Sequence, residues 1–213
     1  IDPIRSRAIQ KIQQDYACDV IISDDGLQHY AMSRDIEINI TDTKRQYGNH
    51  LCLPAGPLRE PVSRLRQVDY IIYNQAAAKT TQDIKHVNEF LMLYDYDLLR
   101  SLDVKKTARL DDFKGQNVHA IAGIGDPGRF FDLLNAEGLI AIEHPFADHY
   151  LYNENDLVFS DPYPVIMTEK DAVKCARFNL DNAWFLPITA HIKGPLIEKI
   201  LNNLRNYHGQ KIT

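Results

Sequence analysis

Cysteine is scarce in this chain: Cys18, Cys52 and Cys175 are widely spaced and odd in number among 213 residues. That argues against a disulfide framework or a structural zinc site and points to free thiols in a reducing compartment. Long apolar runs are also missing; none approaches the ~20 residues that an α-helical membrane crossing needs. Basic charge is not in excess, since 24 Lys and Arg face 29 Asp and Glu for a formal charge of -5. A general nucleic-acid coat is therefore disfavoured, and no nucleic-acid partner is expected. Repeats and low-complexity tracts are absent. The sequence opens IDPIRSRAIQ without a Met, already in a helical pattern, so it reads as the later part of a longer protein.

What is present is a globular composition, 45% hydrophobic and 25% charged. Residues 3–16 place Ile4, Ala8, Ile9 and Ile12, with Tyr16 beyond, on one helical face. CDVIIS (18–23) reads as a buried strand, and IEINIT (36–41) alternates with the period of a half-buried strand. A long loop braced by Gly48, Gly56 and prolines leads to a strand at VDYIIYNQ, 68–75. FLMLYDYDLLRSL fits a strand over its first half, and ARLDDFKGQN reads as a turn-rich connection. The second half repeats strand and helix: VHAIAGIG, a helix closing at Gly138, LIAIEH, PVIMT, EKDAVKCARF, AWFLPIT and a terminal amphipathic helix. This rhythm predicts a parallel α/β architecture, with a domain junction between residues 108 and 109.

Five stretches carry candidate chemistry. In IISDDGLQHY, Asp24 and Asp25 follow an apolar run, as Walker-B acids do when they reach Mg²⁺ beside a nucleotide phosphate. An Asp-Asp-Gly turn or a helix cap is the plainer reading of the pair, and His29 alone reads as a surface histidine. In LPAGPLREP, Arg59 suits phosphate oxygens and Glu60 suits a cation; a local ion pair is the plainer reading. In HPFADHYLY, His149 has the position of a general base tuned by Asp148, or of a partly buried histidine. Gly123, Gly125 and Gly128 form a G-x-G-x-x-G with Glu143 20 residues beyond, which suggests an NAD site. Asp126 and Pro127 weaken that reading, because one brings negative charge and the other removes an N–H donor from the turn. In MTEKDAVKC, Thr168 is a candidate N-cap and Lys170 has the reach to touch a phosphate, although a solvated basic face with Lys174 is the ordinary explanation. The chain contains no G-x-x-x-x-G-K-[ST] phosphate cradle.

Taken together, DDGLQHYAMSRDIEI, YGNHLCLPAGPLREPVSRL, AIAGIGDPGRFFDLL, HPFADHYLY and VIMTEKDAVKCARF resemble, in this order, the tetraacyldisaccharide 4′-kinase (lipid A 4′-kinase) family. The resemblance spans about Asp19 to Trp184 and lacks the family's P-loop portion. It implies a partial P-loop-NTPase-like parallel sheet in residues 1–108 and a smaller Rossmann-like α/β domain in residues 109–213. It also implies transfer of the ATP γ-phosphate to the 4′-hydroxyl of an acylated disaccharide 1-phosphate lipid, giving lipid IV-A. On that resemblance Asp24, Asp25 and Glu60 face Mg²⁺, His29 and Lys170 face the nucleotide, and Arg59 and His149 join the acids in catalysis. The implied location is the cytoplasmic face of the Gram-negative inner membrane, contacted through an N-terminal part not in this sequence, and the present piece is expected to be inactive alone. An NAD-linked oxidoreductase and a non-catalytic nucleotide-binding module remain the alternatives.

Overall fold

The computed structural model describes residues 2–75 and 88–210. Its fold is α/β, divided into two compact units: residues 1–93 with 192–213, and residues 94–191.

In the first unit, helix α1 (Arg5–Asp15) is followed by strands β1 (Ile38–Asp42), β2 (Tyr70–Gln75) and β3 (Glu89–Asp95). β1, β2 and β3 pair in parallel, with Ile38 opposite Tyr70 and Ile71 opposite Glu89. Alternation in β3 buries Phe90 and Met92, and Ile72 of β2 is buried beside them. The unit is closed by a late strand and the last helix, whose Asn203 donates to the Tyr70 hydroxyl at 2.8 Å. The Tyr70 and Phe90 rings meet edge to face at 6.0 Å.

Two expectations fail here. CDVIIS is not a strand: residues 18–23 join no sheet among the described residues, and Ile22 is 91% exposed. Apolar, β-branched residues favour an extended chain, but it becomes a strand only where a neighbouring strand takes up its N–H and C=O groups. The predicted α1 helix forms, yet none of its residues is buried.

In the second unit the strands are β4 (Leu98–Ser101), β5 (Thr107–Arg109), β6 (Asn117–Ala122), β7 (Ile140–Pro145), β8 (Val165–Thr168) and β9 (Ala183–Leu186). Helix α2 (Pro127–Ala136) joins β6 to β7, and α3 (Glu169–Cys175) follows β8. The sheet order is β5-β4-β9-β8-β6-β7. Its β7, β6, β8 and β9 are parallel, while β4 runs antiparallel to β9 and β5. β8 is buried on both faces, as a central parallel strand should be.

Alternation along β6 makes two cores. Val118, Ala120 and Ala122 pack with Phe130, Phe131 and Leu134 of α2, whereas Ile121 packs on the other face with Tyr152, Met167 and Cys175. Each fully buried Leu, Ile or Met contributes about 1.5–3 kcal/mol by leaving water. α2 ends as read from sequence, with Gly138 at φ +90, a left-handed position glycine adopts without strain.

The division of the chain differs from the 108/109 junction read from sequence. β4 and β5 belong to the second sheet because they pair with β9 and each other, so that unit begins at Tyr94. Strand β10 (Thr189–Lys193) joins β3 at the edge of the first sheet, and α4 (Leu196–Gln210) belongs to the first unit. No helix among the described residues is long and apolar enough to cross a membrane.

Candidate functional site

In the first unit the loops between β1 and β2, with the segment after residue 24, line a half-open cavity of about 440 Å³. Asp25, Arg59 and Glu60 all line it, together with Gln28, Asn39, Tyr47 and Arg64. Three of the residues singled out from sequence therefore converge, although 34 positions separate Asp25 from Arg59. Asp24 and His29 lie in the same acidic loop but do not line the cavity.

The acidic loop is held by its backbone. Arg5 donates from Nη1 to the Asp24 carbonyl at 2.8 Å and to the Ser23 hydroxyl at 3.2 Å. Asp25 sits at φ 49, a left-handed conformation that Asp tolerates better than most residues. The two carboxylates make no ion pair among the described residues and remain exposed. His29 is half-buried, with its N–H on the Gly26 carbonyl at 2.9 Å.

Glu60 is different. Its Oε2 accepts from Gln28 Nε2 at 2.8 Å, its Oε1 accepts from the Tyr30 hydroxyl, and Arg64 Nε lies 3.5 Å from Oε1. The Tyr30 hydroxyl, then Gln28, hold its carboxyl below the usual carboxylate range, with help from Arg64 and Arg34. Arg64 in turn donates from Nη2 to both Glu37 oxygens at 2.8 and 2.7 Å, and Arg34 pairs with Glu37 as well. An Arg34–Glu37–Arg64–Glu60 chain of alternating charge thus underlies the loop that presents Arg59 to the cavity.

Among the described residues no three His, Cys, Asp or Glu side chains gather as a metal cage. Mg²⁺ does not require one: it is usually bound by one or two carboxylates plus phosphates and waters. Asp24 and Asp25 fit that donor set. Glu60 fits it poorly, because both of its oxygens already accept protein hydrogen bonds and ligation would mean giving one up.

His149 and Lys170 lie in the second unit. The His149 side chain is 80% exposed, and its Nε2 is 3.7 Å from Asp148 Oδ2. Lys170 Nζ donates to Asp148 Oδ1 at 2.8 Å, so both residues share one carboxylate, held below its ordinary range chiefly by Lys170. Thr168 caps α3 as read from sequence, accepting from the Asp171 N–H at 3.2 Å.

The glycine turn is occupied by protein. Gly123 donates its N–H to the buried Asp171 carboxylate at 2.9 Å. A Cβ at Gly123 would lie 2.6 Å from the Tyr152 hydroxyl and 3.0 Å from Asp171 Oδ1. β6 and β8 are neighbours with their connections leaving in opposite directions, the switch point where open α/β sheets take ligands. Here that crevice holds a carboxylate rather than room for a pyrophosphate.

Sequence reasoning missed Gln28, Tyr30, Arg64 and Asp171. The Arg64 signal was legible, four residues after Glu60, the spacing of a helical ion pair. Gln28 and Tyr30 act across 32 and 30 positions, which no local pattern reveals.

Fold and site together define an α/β protein with a charged cavity compatible with a phosphate-bearing ligand. A family model described as Tetraacyldisaccharide-1-P 4′-kinase matches residues 1–205, and the chain belongs to that family. It is 43% identical over 210 residues to a tetraacyldisaccharide 4′-kinase of Hahella chejuensis, covering 97% of this chain and 60% of that protein. A relative of the same name from Methylobacillus flagellatus is 47% identical over 201 residues, covering 94% and 58%. Among solved structures, the crystal structure of LpxK from Aquifex aeolicus in complex with ATP matches with a TM-score of 0.71 and 26% identity. That match covers 95% of this chain and 62% of the other. The chain thus spans about 60% of the length of the curated relatives it matches.

Proposed function

We propose that this chain carries the acid-bearing and histidine-bearing parts of an ATP-dependent lipid kinase. Its reaction transfers the γ-phosphate of ATP to the 4′-hydroxyl of a tetraacyldisaccharide 1-phosphate, giving lipid IV-A in lipid A biosynthesis. The observation that carries this reading is the convergence of Asp25, Arg59 and Glu60 on one cavity. Family membership and the ATP-bound structural relative support it.

Phosphoryl transfer asks a protein mainly to position groups and neutralise charge. Asp24 and Asp25 hold Mg²⁺ in this proposal; when bound, the ion neutralises phosphate charge. Arg59 balances charge on phosphate oxygens with a planar guanidinium. Glu60, kept anionic by Tyr30 and Gln28, orients the Arg59 loop. His149 takes the proton of the attacking hydroxyl, and His29 faces the nucleotide. A lipid substrate places the work at the cytoplasmic face of the Gram-negative inner membrane. Residues 1–93 with 192–213 are assigned to the kinase domain's remainder and 94–191 to the smaller α/β domain.

The test uses a full-length chain carrying this sequence, γ-labelled ATP and the acylated disaccharide. Phosphorylated lipid is expected, with Asp24→Asn, Asp25→Asn and His149→Ala each lowering kcat. The 213 residues by themselves, having no phosphate-cradle motif, are expected to transfer none. Nucleotide binding without transfer by the full-length chain would replace the kinase reading with a non-catalytic module. Saturable NADH binding that Gly125→Ala abolishes would replace it with an oxidoreductase.

A further inference from the structure

Lys170, Lys174 and Arg177 follow one another at spacings of four and three, so they share one face of α3 and its continuation. All three reach the loop that carries His149. Lys170 Nζ donates to Asp148 Oδ1 at 2.8 Å, Lys174 Nζ lies 5.5 Å over the Tyr152 ring, and Arg177 Nη2 donates to the Tyr152 carbonyl at 3.0 Å. The loop is tied at its start as well, where the Phe146 N–H donates to the Ala122 carbonyl at 2.9 Å.

Beneath this stripe lies a buried anchor. Asp171 is fully buried, and its Oδ2 accepts from the Gly123 N–H at 2.9 Å and the Thr168 hydroxyl at 2.6 Å. Its Oδ1 accepts from Lys174 Nζ at 2.8 Å. The turn 123–128, the loop 146–152 and the start of α3 are therefore fastened at one place, in the crevice between β6 and β8.

His149 shows what the fastening holds. Its φ is 61, a conformation few non-glycine residues adopt unless their surroundings impose it. Its N–H donates to Asp148 Oδ1 at 3.0 Å, the same oxygen that accepts from Lys170. One carboxylate oxygen thus couples the lysine to the histidine backbone.

We propose that the basic stripe is a clamp on the 146–152 loop and that Lys170 is a positioning residue, orienting His149 through Asp148. The kinetic part of this proposal rests on the assignment of His149 as the proton acceptor; the structural part does not. Lys170 is half exposed, so its removal leaves the buried anchor intact and the fold stable.

Two measurements test the clamp. In the 213-residue chain, Lys170→Met shifts the His149 imidazole and backbone-amide NMR signals, Lys170→Arg largely restores them, and Lys193→Met, outside the loop, leaves them alone. In the full-length chain, Lys170→Met lowers kcat about 10- to 100-fold, the scale of a small misplacement of a reacting group, without raising the KM for ATP. Unchanged His149 signals in Lys170→Met would overturn the clamp. A raised KM for ATP with unchanged kcat would also overturn it, making Lys170 a nucleotide contact instead. If the wild-type full-length chain transfers no phosphate, the kinase reading falls, and the NMR signals alone decide the clamp.

Discussion

Gln28 donates a hydrogen bond from Nε2 to Glu60 Oε2 at 2.8 Å and so joins two loops 32 residues apart. With the Tyr30 hydroxyl on the other oxygen, both carboxylate oxygens of Glu60 are occupied by donors from the segment just after the paired acids. These two bonds tie the acidic loop to the Arg59 loop.

Removing one donor reads out that coupling. Tyr30→Phe is expected to raise the Glu60 pKa toward the ordinary carboxylate value and to cost about 0.5–1.5 kcal/mol, nearer the lower end because Tyr30 is exposed. The sign follows from linkage: a carboxyl with a depressed folded pKa contributes stability above its unfolded pKa and loses it as pH falls through the folded one. The difference between wild type and Tyr30→Phe should therefore shrink in acid. Urea titrations at several pH values, with carboxyl NMR of Glu60, measure both effects; a difference that grew on acidification would contradict the assignment.

Asp171 offers a stronger stability effect. Burial raises its pKa, but Lys174, Thr168 and the Gly123 N–H outweigh burial and leave it lowered. Asp171→Ala strands the largely buried Lys174 ammonium, and breaking such a pair costs about 3–5 kcal/mol. Replacing both partners, as Asp171→Ala with Lys174→Met, should recover part of that loss, because no buried charge is then left unpaired. Denaturation midpoints of the two single variants and the double variant give the coupling directly. Additive losses would mean that the pair is not a unit.

Thiol reactivity should rank the cysteines by environment. Cys175 is buried, and burial with the Asp171 charge pushes its thiol up to about 12, so it carries almost no thiolate near neutral pH. Cys18 is exposed and Cys52 half-buried. Alkylation of the native chain followed by mass spectrometry is expected to label Cys18 first and Cys175 last. Early labelling of Cys175 would place that face of β8 and α3 open to solvent.

Much of this fold was legible in the sequence because its signals are local. β6, α2, β7, β8 and α3 follow from period, capping and glycine position, and the Thr168 cap and Gly138 stop were readable by residue type. CDVIIS misled because apolarity reports a preference for burial and says nothing of whether a pairing strand is at hand. The site was half legible. Residue chemistry left a turn and a local ion pair as the plainer readings of Asp25, Arg59 and Glu60, and only the family resemblance singled them out; the groups that hold them, Gln28, Tyr30 and Arg64, depend on loops that meet only after folding. Lys170 and Lys174 read as a solvated basic face because their partners, Asp148 and Asp171, become visible only with the turn of α3 in place.

The second unit is threaded between β3 and β10, which are neighbours in the first unit's sheet. During synthesis, the stretch bearing His149 is contiguous and has all of its strands once residue 191 has emerged. The unit bearing Asp24 and Asp25 starts earlier but receives its edge strand and final helix last. Domains tend to fold as they leave the ribosome, N-terminal first; this connectivity reverses the order of completion. The cavity lined by Asp25, Arg59 and Glu60 belongs to the unit that is finished second.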